Sequence, residues 1–528
     1  MNIASSLVLL PCLGLCSSVS AWGQVNEDLK LVASDGEEFD NFGYAIAVSG
    51  DLALIGAPSD DDKANNAGAV YVFDLTTGQQ VTKLFAKDAD PNNGFGASIA
   101  ISGTRAVIGA PFDGDNGTGS GSVYVFDLVK GQQTAKLLAS DGQEVDNFGE
   151  SVAVFGDRAV IGARNDDDNG FDAGAAYVFD ISTGQELFKL LASDGGSDDE
   201  FGCSVAICDV QVLVGARRED EKGTSSGAAY VFDVATGQQV AKLCASDGTE
   251  GGYFGWSAAF TGDRALVGAM GDKTQGDFTG ALYLLDPSTG QQLSKLVASD
   301  AQAGDQYGYS LAASEDLAVV GAVGQADGVA YVIEPLTGQE LFKLSASDGV
   351  AGNYFARTVA TSGDTVLVSA YRDSDQGQFA GAVYVYRLGV DCGTTYCGPD
   401  QNPNNSSGIA IDTCESAATS IQVSLYNGPP NQFIYLLVGD GNGTASQPPG
   451  AKGDLCVVGG SCLGRYDKDV GQINFAGQFS TDVRNAVSNP CQGAVNLSPG
   501  STWNFQYWHR QPMGQPATFS GAISVTFQ

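Results

Sequence analysis

Residues 148–193 read FGESVAVFGDRAVIGARNDDDNGFDAGAAYVFDISTGQELFKLLAS. Residues 149–156 alternate small and apolar side chains, and Arg158–Ala163 is an apolar run. Gly174–Asp180 is β-branched and aromatic, and Gln185–Ser193 alternates again. The breaks between these runs are rich in Gly, Asp, Asn, Ser and Thr, the residues that turn a chain. The apolar period is two, so the runs are strands and a helical solenoid is excluded.

The same sentence is written seven times. Phe-Gly occurs at Phe42, Phe95, Phe148, Phe201 and Phe254, continues as Tyr307-Gly308 and decays to Phe355-Ala356. The glycine before the second loop keeps register at Gly56, Gly109, Gly162, Gly215, Gly268 and Gly321, with Ser369 in the last unit. A tyrosine keeps it at Tyr71, Tyr124, Tyr177, Tyr230, Tyr283, Tyr331 and Tyr384. Unit six is shorter between Gly321 and Tyr331, which marks that segment as a loop. Four strands in about fifty residues is the signature of a β-propeller blade. A Lys-Leu phrase in the fourth strand starts at Lys30, before unit one, and none follows unit seven. The N-terminal Leu29–Ser34 is therefore expected to supply the outermost strand of blade seven and close the ring. The repeated lysine itself reads as a gatekeeper charge on an edge strand.

The phrases FGYAIAVSGDLALIGAP (Phe42–Pro58) and FGASIAISGTRAVIGAP (Phe95–Pro111) resemble FG-GAP repeats, which form the seven-bladed propeller of integrin α-chain N-termini and of many exported bacterial proteins. The resemblance covers residues 28–388. It implies an all-β, seven-bladed propeller, an extracellular setting, and adhesion or binding as the default role. Integrin-type repeats often carry a calcium loop between the Phe-Gly strand and the next. Here that connection is a tight turn such as Ser49-Gly50-Asp51, too short to supply the six to eight oxygens calcium takes.

The acids lie elsewhere. The chain has 528 residues and a net charge of −36, and more than half of its 62 Asp and Glu fall in two loop families. These are the second-to-third connections within units and the connections between units. In a four-stranded meander both open on one face, so that face is expected to be acidic. Three readings stay open: solvated turns, cation sites, or a surface for a cationic ligand. The candidate calcium ligands are Asp166, Asp168 and Asp172, Asp113 and Asp115, Asp60 and Asp62, and Asp373 and Asp375. Each set mixes carboxylates with a Gly or Asn that permits a sharp bend. Nucleic acid is excluded as a partner, because phosphate binding needs clustered Lys and Arg.

One histidine, His509, stands in the whole chain and outside the repeats. A His-based triad or zinc site within the propeller is therefore excluded. No Walker loop is present, and no cofactor other than calcium is expected. Residues 1–21 read as a secretory signal peptide ending Val-Ser-Ala, and no later stretch has the ~20 apolar residues of a membrane span.

Residues 389–528 are expected to form a β-sandwich that resembles C-terminal domains of exported bacterial proteins. Cys392, Cys397, Cys414, Cys456, Cys462 and Cys491 suggest three disulfides there, one guess being 392–397, 456–462 and 414–491. Trp503, Tyr507 and Trp508 read as core aromatics, with a sugar-stacking platform as the alternative. Cys203, Cys208 and Cys244 fall on inner and outer strands of blade four, about 14 Å apart, and are expected to be buried free thiols. The expected function is a secreted or cell-surface, non-catalytic binding or adhesion protein for an extracellular protein or glycan. The alternatives are an extracellular polysaccharide hydrolase or lyase and a structural envelope component.

Overall fold

The computed structural model describes residues 25–388, apart from 315–316 and 325–326, and nine strands beyond residue 409. The chain divides into two compact units, residues 1–388 and 389–528.

Strands are numbered in chain order from β1 (Leu29–Leu31). Blade 1 is β2 (Ile46–Ser49), β3 (Leu52–Ala57), β4 (Ala69–Asp74) and β5 (Gln79–Leu84), hydrogen-bonded in that order. Blade 2 is β6–β9 (Ser98–Leu137), blade 3 β10–β13 (Ser151–Leu190), and blade 4 β14–β17 (Phe201–Leu243). Blade 5 is β18–β21 (Phe254–Leu296) and blade 6 β22–β25 (Tyr307–Leu344). Blade 7 is β26 (Phe355–Ser362), β27 (Thr365–Ala370) and β28 (Ala382–Arg387), completed by β1. The N-terminal strand closes the ring as expected, with Lys30 opposite Tyr384. The shortened segment of unit six is the loop between β23 (Ala318–Ala322) and β24 (Val329–Ile333).

Second and third strands are buried almost without a break, because each blade's two faces are covered by its neighbours. The core is accordingly divided among the blade junctions. Val107, Val123 and Val125 of blade 2 pack with Phe148, Ile161 and Tyr177 of blade 3, and the same layer recurs around the ring. Burying one such phenylalanine stabilises by roughly 1.5–3 kcal/mol.

Polar staples accompany this packing. Ser151 Oγ on β10 donates to the Gly202 carbonyl of blade 4 at 2.7 Å. Ser98, Ser204, Ser257 and Ser310 reach the next blade in the same way, and Thr358 closes the circle onto Gly43. Blade 1 carries Ala45 at this position. Gly162 explains why its position is held: a Cβ there would stand 2.0 Å from the Gly202 carbonyl and 2.4 Å from Ser151 Oγ.

In residues 389–528, one four-stranded sheet contains Ala410–Thr413, Ile421–Ser424, Thr518–Thr526 and Thr502–His509. A five-stranded sheet includes Ile434–Val438. The six cysteines of this unit and residues 1–21 lie outside the described residues. Cys203, Cys208 and Cys244 are free thiols, as expected, but each is only partly buried, which corrects the expectation that they are buried. Cys203 turns toward the propeller axis, and Cys208 and Cys244 lie just past the ends of their strands.

Gly162→Ala is expected to lower stability by more than 2 kcal/mol, about the cost of overpacking a rigid site. Gly50→Ala, whose Cβ meets nothing within 4 Å, should cost only about 1 kcal/mol, for its positive φ. Urea unfolding of the two variants checks the contrast.

Candidate functional site

The lysine of each fourth strand does not stand at the edge as a gatekeeper. It turns inward, directly opposite the tyrosine of the third strand, as in Lys189↔Tyr177. This corrects the edge reading, and the reason is a cluster of carboxylates. Lys189 Nζ lies 2.8 Å from Asp141, 2.9 Å from Asp166 and 2.5 Å from Asp168. Its ammonium also sits 5.3 Å from the centre of the Tyr177 ring. The Tyr177 hydroxyl lies 2.9 Å from both Asp141 and Asp166. One ammonium thus gathers an inter-blade carboxylate and two from the second-to-third loop.

The arrangement repeats. Lys83 holds Asp35, Asp60 and Asp62; Lys136 holds Asp88, Asp113 and Asp115. Lys30 holds Asp348, Asp373 and Asp375 across the ring closure. In blade 4 Lys242 is held by Asp194, Glu219 and Glu221, whose carboxylates converge closely enough to grip a single cation. In blade 5 Thr274 replaces the third acid beside Lys295. In blade 6 the shortened loop leaves Lys343 with Asp300 alone among the described residues.

Eight of the nine candidate calcium ligands are therefore brought together in pairs, each around a lysine. Asp172 is not: it turns at φ 48°, its N–H donates to Asp167, and it stands outside the Lys189 cluster. Three carboxylates against one ammonium leave each full cluster net negative.

Burial alone would lower the pKa of Lys189, but its bonds to Asp141, Asp168 and Asp166 outweigh it and raise the pKa. Burial would raise Asp141; the Lys189 and Tyr177 bonds overcome it and hold the carboxyl below its usual range. A different fate meets Asp40, Asp146 and Asp199, two residues before the Phe-Gly phenylalanine. Burial pushes each up to about 6, and the neighbouring acids Asp60, Asp166 and Glu219 add to the rise. Two other units carry Asn93 and Asn353 at this place, and their amides donate to Asp113 and Asp373.

A second feature of the same face escaped the sequence reading. The ends of the seven inner strands line an axial cavity of about 860 Å³. The residue after each Phe-Gly points into it, among them Glu150, Cys203, Trp256, Tyr309 and Arg357. Arg164 and Arg217, each directly after a Gly-Ala step, join them. Arg164 Nε lies 2.8 Å from Glu150, and Arg217 pairs with Glu200 at 2.5 Å while stacking 4.5 Å over Trp256. Arg218 also reaches Glu200, at 3.1 Å. Arg357 lies over the rings of Tyr44, Tyr309 and Tyr371, and Arg372 over Tyr354, Tyr371 and Phe379. Three of the nine arginines in residues 28–388, Arg164, Arg217 and Arg357, thus line the axial cavity of a strongly acidic chain, with Arg218 and Arg372 beside them. The signal was present at the two variable positions, after Phe-Gly and after Gly-Ala, whose surroundings hardly vary.

With this geometry the chain is assigned. It belongs to the FG-GAP repeat family, whose model matches residues 22–73, 79–126, 132–179, 185–232, 238–285, 291–333 and 339–386. Matches two to seven begin on the fourth strand of one blade and end on the third strand of the next, the offset that lets an N-terminal strand close the ring. No curated protein matches the chain. Among the described residues no helix is long and apolar enough to cross a membrane.

Lys189→Met should cost about 3–5 kcal/mol, because it leaves buried Asp166 without its counterion. Lys343→Met, at an exposed pair, should cost no more than ~1 kcal/mol. Chemical denaturation measures both.

The raised carboxyls predict a pH dependence of definite sign. The folded state holds these protons more tightly than the unfolded chain. Their contribution to stability is complete below pH ~4 and is lost as pH rises through about 6. The triple variant Asp40→Asn, Asp146→Asn, Asp199→Asn should flatten that slope and gain stability relative to the native chain at pH 7. Thermal unfolding from pH 4 to pH 7 checks it.

Proposed function

We propose that this is an exported, non-catalytic binding or adhesion protein that engages an extracellular protein or glycan through the face bearing its two loop families. Membership of the FG-GAP family supports a binding or adhesion role. The single observation that carries the reading is the charge layout of that face. A rim of carboxylates is tied down by its own lysines, around a cavity lined by arginines and aromatic rings. Such a surface offers fixed polar and apolar contacts to a ligand.

The same layout supports a non-catalytic role. Rim carboxylates engaged by an ammonium and a tyrosine hydroxyl are poor general bases, and the one histidine stands outside the propeller. Calcium keeps a narrower place in the proposal. The clusters carry surplus negative charge, but an ion at Asp166 and Asp168 must share or displace the Lys189 ammonium.

Glycan-array and pull-down binding of the full chain, set beside turnover of a polysaccharide panel, is the test. Saturable binding without product is expected. Shortened or unsaturated oligosaccharides would overturn the reading in favour of a hydrolase or lyase.

A further inference from the structure

Arg357 is a half-buried cation held between tyrosine faces; among the described residues it makes no ion pair, and its charge reaches Glu150 across the cavity only at longer range. Arg372, nearer the rim, also touches only rings through its guanidinium. Their neighbours Arg164, Arg217 and Arg218 are paired, with Glu150 or Glu200. In a chain of net charge −36, one arginine lining the axial cavity and one nearer the rim thus form no ion pair of their own, the features expected of an anion site.

The surroundings narrow the anion. Nucleic acid carries a charge every ~1.7 Å, and the acidic rim would repel it. A chain with one carboxylate per sugar spaces its charges more widely, so two of them can meet Arg357 and Arg372 while few others lie against the acidic rim. A guanidinium matches a carboxylate with two parallel N–H donors. Aromatic rings cluster around it: Trp256 packs 5.3 Å from Tyr309, and Tyr354 5.8 Å from Tyr371. Phe112 lines the cavity and is 56% exposed, and Tyr354 is 39% exposed. Flat apolar faces suit the C–H face of a pyranose, and Tyr hydroxyls suit its hydroxyls.

Resting on the binding role above, we propose that the axial mouth binds uronate-type acidic glycans, with Arg357 and Arg372 pairing to the sugar carboxylates and the surrounding rings stacking on the sugar faces. A carboxylate-rich peptide is the competing ligand class.

The test is calorimetric titration of the full chain with oligogalacturonate, its methyl ester, and oligoglutamate. Oligogalacturonate should bind, the neutral ester should bind about tenfold more weakly or not at all, and salt should weaken the acid form. Arg357→Gln should reduce affinity about tenfold or more. Arg372→Gln, at a rim position that contributes less packing, should also weaken binding, with unfolding curves confirming that both variants fold. Arg105→Gln, which loses only its pair with the turn residue Asp157, should bind as the native chain does. Equal binding of acid and ester, native-like binding by both arginine variants, or no binding would overturn the inference. Preference for oligoglutamate would also overturn it while leaving the binding role intact. Cleavage of the oligosaccharide would overturn the binding role itself.

Discussion

The ammonium that each blade turns inward from its fourth strand is the contact on which the acidic face depends. Without it, an inter-blade carboxylate and two loop carboxylates would crowd beside a buried tyrosine with nothing to offset their repulsion. With it, the loop before a blade and the loop within it are tied to one point, 2.5–2.9 Å from Lys189 in blade 3. The tyrosine serves the polar cluster and the core at once. Its hydroxyl meets the acids, and its ring packs edge-on against the Phe-Gly phenylalanine, at 5.4 Å for Tyr177 and Phe148. The Phe-Gly motif, the tyrosine and the lysine are therefore parts of one structural unit.

Ring closure uses the same contact. Lys30 belongs to the N-terminal strand, yet it pairs with Asp348, Asp373 and Asp375 more than three hundred residues away. The long-range closure thus has both a strand ladder and an ion cluster, and the ion cluster repeats those elsewhere in the ring. Blade 6 shows what is lost when the loop shortens: Lys343 and Tyr331 remain, but only Asp300 meets them among the described residues.

Much of this was legible in the sequence. Seven units in register fixed the strands, the closure and the face on which the acids gather, because alternation and turn chemistry are local. The partner of the acids was not legible. Lys189 and Asp166 are 23 residues apart and meet only once the third and fourth strands pair. A strand pattern does not say which side of an outer strand turns inward. The arginines were missed for a related reason. Arg164, Arg217 and Arg357 are unremarkable within their own units, and they become a cluster only when the ring brings its inner ends together. Repeated positions reveal a scaffold, whereas a site on a ring is written in the positions that fail to repeat.

The measurement that bears most directly on the lysine's role as resident cation is thermal unfolding of the full chain in EDTA, in calcium, in magnesium, and in a monovalent salt of matched ionic strength. A lysine-filled cluster predicts that calcium shifts the transition no more than magnesium does, through general screening of the surplus acid. A rise of several degrees specific to calcium would contradict it, because only a ligand bound to the folded state raises stability in that way.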